Sequence, residues 1–113
     1  MKNTANICIK QMAILEKNVN AVYTRAQSLI ESGAEFLAEH LISAEQYESI
    51  KAKYIPQRDN LADMIKAIRH NSLRAVWMRE YSGDDNPWIP APDPLTEKEK
   101  ELVQTAMEHY YDF

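Results

Sequence analysis

Glycine is nearly missing from this chain, which has two in 113 residues, Gly33 and Gly83. Tight two-residue hairpins and glycine-rich phosphate loops therefore have no material. Cysteine is scarcer still: Cys8 stands alone and cannot close a disulfide within the chain, which fits a reducing, cytoplasmic setting. No run of 18 apolar residues occurs, and no basic start leads into an apolar stretch of signal-peptide form, so neither a membrane span nor secretion is expected. His40, His70 and His109 lack the H-x-x-x-H and H-E-x-x-H spacings, and no Glu stands three residues before any of them. His109 and Asp112, one turn apart, would offer a cation only two ligands. These absences predict a protein that is not an enzyme, with no catalytic residue, no metal site and no cofactor.

What is present is helix. In residues 4–32, Cys8, Met12, Leu15, Val19, Val22, Ala26 and Leu29 recur at alternating steps of four and three, one stripe on a helical surface, with Ile7, Ile14 and Ala21 beside it. Gly33, which can take a left-handed cap without steric cost, is the expected stop. A helix of about 40 Å is long for a domain this small, so its stripe could also pair with a second copy as a homodimer. A thiol on that stripe is expected to be buried and inert rather than nucleophilic.

After Gly33, Phe36, Leu37 and Leu41 are expected to turn inward and close one end of a bundle. Ser43 and Gln46 have the spacing of a capping box, opening a helix with Tyr47, Ile50 and Tyr54. Pro56 disfavours helical backbone at Ile55, so that helix should stop there and a new one begin. The new helix, 57–81, carries Leu61, Met64, Ile65 and Ile68 on one side and Arg58, Lys66, Arg69 and His70 on the other. Continued without interruption, its wheel would put Trp77 on the basic side with Lys66, His70 and Arg74. Leu73, Val76, Trp77 and Tyr81 form an apolar set of their own, however, and Asn71-Ser72 favours caps over helix interiors, so a kink there that turns Trp77 to the core is expected. Residues 82–94, with four prolines, form an extended connector bearing Trp88 and Ile89. Thr96 and Glu99 repeat the capping-box spacing and open a last helix, 96–111, with Leu102, Val103, Ala106, Met107 and Tyr110. The expected fold is a single all-α domain, a small bundle of four or five helices organised on the first.

The net charge of −4 is unevenly distributed. Residues 51–79 carry seven Lys/Arg against two Asp/Glu, and residues 80–113 carry two against nine. Two explanations stand: the acidic end folds back beside the basic helix, or one of the two patches receives a partner. A nucleic-acid strip would use Lys51, Lys53, Arg58, Lys66, Arg69, His70, Arg74 and Arg79, although a pI near 5.3 argues against a dedicated binder of nucleic acid. A nucleic-acid mimic would instead use Asp84, Asp85, Asp93, Glu97, Glu99, Glu101, Glu108 and Asp112 as phosphate surrogates.

One resemblance arises at residues 61–81, LADMIKAIRHNSLRAVWMREY. An apolar-Ala-acidic start, Leu61-Ala62-Asp63, is followed twelve residues later by Leu73-Arg74 and then by Trp77, with Lys51, Tyr54 and Pro56 upstream. In this it resembles the theta subunits of bacterial DNA polymerase III. That resemblance covers under a third of the chain and implies a small helical accessory subunit that binds and steadies a proofreading exonuclease.

By elimination, the residues suggest a small protein-binding factor, an accessory, adaptor or inhibitor protein of phage or plasmid type, acting on a larger host protein machine. Its expected contact residues are Lys66, Arg69, His70 and Arg74 on the basic helix, Glu97, Glu101 and Glu108 on the last helix, and Trp88 in the connector. Trp88 has two roles open to it, anchoring the connector on the bundle or entering a partner's pocket.

Overall fold

The computed structural model describes residues 2–81 and 89–111, with side chains from Ile9 onward. Among them are three helices and no strand: α1 Lys2–Ala38, α2 Ala44–Glu80 and α3 Glu97–Tyr110. The all-helical expectation holds, but the four or five helices become three because two predicted breaks are not made. The expectations for Cys8 and Trp88 fall outside what is described.

Gly33 meets Tyr47 and Ile50, Gln27 bonds Arg58, and Glu16 pairs with Arg69. Partner numbers fall as α1 numbers rise, so α1 and α2 form an antiparallel hairpin. Each has 37 residues, about 55 Å at 1.5 Å per residue. The molecule measures 63 × 29 × 22 Å, and α3 covers only part of the hairpin.

The core lies where all three helices meet. Met12, Leu15 and Val19 of α1 pack with Leu61, Met64, Ile65, Ala67 and Ile68 of α2 and with Val103 and Ala106 of α3. The stripe on α1 is therefore filled from within the chain. It also rotates: steps of four and three average 3.5 residues while a helix repeats at 3.6, a drift of about 20° per heptad. By the upper end, Ile30 is buried in place of Leu29, and Ile14 lies outside the face it was expected to widen.

Gly33 does not end α1. It is buried inside the helix, facing α2, where a Cβ would lie 3.3 Å from Tyr47 Cδ1 and 3.4 Å from Ile50 Cδ1. The stop comes seven residues later, at His40, whose φ of 61° is left-handed. Leu41 N donates to Phe36 O (2.8 Å) and His40 N to Leu37 O (3.1 Å), the paired bonds of a Schellman cap with histidine where glycine is usual. An L-residue pays roughly 1–2 kcal/mol there, partly offset by the unfolded-state freedom glycine would bring. His40→Gly should thus raise stability by a few tenths to about 1 kcal/mol in a thermal melt; a lower melting temperature would show that His40 makes a compensating contact.

α2 starts at the Ser43 box, with Gln46 N donating to Ser43 Oγ (3.1 Å) and Ser43 N to Gln46 Oε1 (2.8 Å). It then runs through Pro56 and through Asn71-Ser72, where the short helices at 34–55 and the kink at 71–72 were expected. Pro56 and Ala52, whose carbonyl loses its partner, are both on the exposed side, where water can take that bond. Ser72 Oγ donates to Ile68 O (3.0 Å), so its hydroxyl is satisfied inside the helix instead of breaking it. With no phase shift, Leu73 faces solvent and Trp77 stays on the side of His70 and Arg74.

α3 opens at Thr96 with the second capping box: Glu99 N donates to Thr96 Oγ1 (3.1 Å) and Thr96 N to Glu99 Oε1 (2.9 Å). Its far end is capped from α1, where Asn18 Nδ2 donates to Tyr110 O (2.8 Å) and Tyr111 O (3.2 Å). Two of the carbonyls a helix leaves without partners are thereby satisfied. Asn18→Ala should cost about 1–2 kcal/mol and accelerate amide exchange in α3 before it does so near Gly33. An unchanged melt would show that α3 is held by its apolar contacts alone.

Candidate interaction surface

The expected contact residues are divided among separate surroundings. On α2, Lys66 and Arg69 face α1, lining a shallow groove with Asn20 and Tyr23, and Arg69 reaches Glu16 at 3.3 Å. His70 and Arg74, together with Trp77, face the other way and hold the chain's own proline-rich connector. Arg74 Nη1 donates to Pro92 O, Trp77 Nε1 donates to Ile89 O (3.2 Å), and His70 Nε2 lies 2.7 Å from Asp93 O. Positions 70, 74 and 77 form one stripe of a helix, and they meet carbonyls 93, 92 and 89 in reverse order. Prolines 90, 92 and 94 have no N–H, so this strap cannot pair with itself and its carbonyls take side-chain donors instead.

His70 also fixes α3. Its Nδ1 lies 2.6 Å from Glu99 Oε2, so the basic helix and the acidic end do meet, through this pair. The contact with Glu99, then the one with the Asp93 carbonyl, holds the His70 pKa above the ordinary histidine value, against burial and the nearby Arg74. Glu99 moves the opposite way, lowered first by the Thr96 backbone N–H and then by His70.

The remaining acidic residues of α3 have local roles. Glu97 pairs with Lys100 (3.3 Å), Glu108 accepts from Gln104 (3.1 Å), and Glu101 lines a second groove with Lys98, Asn60 and Leu102.

The surface the sequence did not point to is the hairpin tip. Phe36 and Leu41, expected to face inward, are 44 % and 65 % exposed, and Leu29 is 39 % exposed. The reason is geometric: α3 packs on the lower part of the hairpin, so at the tip each helix has only one neighbour. Leu37, Ile42, Tyr47 and Ile50 fill the two-helix seam there and are half-buried. A charge signal was available, because residues 26–50 contain Glu31, Glu35, Glu39, Glu45 and Glu48 and no Lys or Arg. Among the described residues only Glu48 of these reaches a cation, Lys51 at 2.8 Å.

Among the described residues no group of three or more His, Cys, Asp or Glu is placed to hold a metal ion. No described helix is long and apolar enough to cross a membrane. Comparison with known protein families, with curated proteins and with solved structures finds no match for the chain. The theta resemblance of residues 61–81 thus rests on that segment alone, and in this fold its Arg74 and Trp77 hold the strap.

Proposed function

We propose that the chain is a small protein-binding factor without chemistry of its own, an accessory, adaptor or inhibitor protein that docks on a larger protein through the tip of the α1–α2 hairpin. The observation that supports this is the exposure of Leu29, Phe36 and Leu41 on a segment, residues 26–50, that holds five Glu and no Lys or Arg. Large apolar side chains at a rigid helical end are the groups that enter a partner's pocket, and the acidic composition of the tip calls for a pocket rimmed by Lys or Arg. A second copy docking tip to tip would set two acidic segments against each other, which disfavours self-association at this surface. His70 and Arg74 are engaged with the strap, so the basic stripe has less to offer phosphates than its composition suggests.

The test is affinity capture from the native host's lysate with a nuclease-treated control, comparing the wild type with Phe36→Ser/Leu41→Ser and with Lys66→Glu/Arg69→Glu. A protein retained by the wild type and the basic-edge variant but lost with the tip variant supports the proposal. Loss with the basic-edge variant alone would move the surface to the α1–α2 groove, and loss on nuclease treatment would put nucleic acid in place of a protein partner.

A further inference from the structure

We propose that His70 is a proton-operated latch on the strap: doubly protonated it ties residues 89–93 and α3 to α2 at once, and loss of one proton releases the Asp93 carbonyl and loosens the strap on α2. The geometry carries this. Nδ1 faces a carboxylate oxygen at 2.6 Å and Nε2 faces a main-chain carbonyl at 2.7 Å, and neither acceptor can donate in return. Both contacts are hydrogen bonds only when both ring nitrogens carry hydrogen, which is the imidazolium form. A neutral ring has one N–H. At the other contact two lone pairs would then face each other at hydrogen-bond distance.

The contact that fails is the one to the strap. A bond to an ionised acceptor is stronger than one to a neutral carbonyl, so the remaining N–H stays with Glu99 and the Asp93 carbonyl is released. The proton leaves to solvent. The strap then hangs on Arg74 and on the Trp77 indole, whose 3.2 Å bond is the longest of the three contacts to the strap's carbonyls. The charged groups acting on the ring are Glu99 from α3, which holds the proton, and Arg74 from α2, which opposes it. Because the balance raises the folded pKa, the latch is fully closed below the ordinary histidine value of about 6.5 and opens as pH rises through the folded one. What opening loosens is the strap's cover over Arg74 and Trp77, whose own bonds to Pro92 O and Ile89 O remain.

The experiment is an NMR titration of the full-length ¹⁵N-labelled protein from mildly acidic to mildly alkaline pH. It follows the Cε1–H of His70, identified by its loss in His70→Gln, together with the Trp77 indole N–H and the Ala91 and Asp93 amides. The latch requires these signals to move together with one midpoint above the ordinary histidine value, and the strap signals to lose that transition in His70→Gln. Glu99→Gln is the second variant. Glutamine at that position still completes the capping box, so α3 keeps its start while the carboxylate charge is gone, and the midpoint should fall. The proposal is overturned if His70 titrates at or below the ordinary value, if the strap signals stay flat through its titration, if their transition persists in His70→Gln, or if Glu99→Gln leaves the midpoint where it was.

Discussion

Leu15→Asp is expected to abolish the cooperative thermal transition. Leu15 is 0 % exposed, and its surroundings, from Met12 and Val19 to Leu61, Ile68 and Ala106, are apolar on all three helices. A carboxylate placed there has no hydrogen-bond partner and no cation to meet, which costs several kcal/mol, against a total stability of about 5–15 kcal/mol for a domain of this kind. Protonation would lower that cost without removing it, because a neutral carboxyl still needs partners. Leu73→Asp is the control. Leu73 has the same chemistry but is 59 % exposed, so its substitution should move stability by no more than about 0.5 kcal/mol. Melting followed by circular dichroism separates the two, and near-wild-type cooperative melts for both would mean that α1 does not bury this face.

Phe36→Ser/Leu41→Ser should leave the melt nearly unchanged and weaken binding to the captured partner by ~2 kcal/mol or more, about thirtyfold. These residues are partly wetted in the free protein, so truncating them opens no enclosed cavity in the seam and costs less than a core truncation. The Schellman cap beneath them is made by backbone atoms and survives the change. In a complex the same side chains would be desolvated together, and their loss would appear mainly as faster dissociation. Neutralising Glu31, Glu35 and Glu39 should act differently, lowering the association rate and its dependence on salt, because rim charges steer more than they hold. Equal affinity of wild type and double variant, measured with the purified partner, would remove the tip from the interface.

Local chemistry was legible in the sequence wherever the backbone decides the matter by itself. Ser43-x-x-Gln46 and Thr96-x-x-Glu99 both form the caps their spacing implies, since every atom needed lies within one turn. The 3.6-residue recurrence on α1 and α2 found most of the core, and with it the all-helical class. The misreadings share a cause. Gly33, Pro56 and Asn71-Ser72 are signals about an isolated helix, and the fold overrides them: Gly33 packs against Tyr47 and Ile50, the segments on both sides of Pro56 are held against α1, and Ser72 returns its hydroxyl to Ile68 O within α2. The strap was illegible for another reason. Its carbonyls are main-chain atoms with no signature in residue type, so a stripe of His70, Arg74 and Trp77 reads as a cationic face until the segment it binds is seen. Asn18 escaped notice likewise, because its partners, the carbonyls of Tyr110 and Tyr111, lie more than 90 residues away in the chain.

The proportions of the hairpin have a hydrodynamic consequence. Its radius of gyration is 18.6 Å, whereas a compact chain of this length would have about 13 Å. By the same scaling, 18.6 Å belongs to a compact chain roughly two and a half times as long. A single copy will therefore elute earlier from a sizing column and tumble more slowly than a compact chain of the same mass, so elution volume and rotational correlation time both overstate its mass. Light scattering or sedimentation equilibrium, which report mass without regard to shape, are the measurements from which the number of copies can be counted.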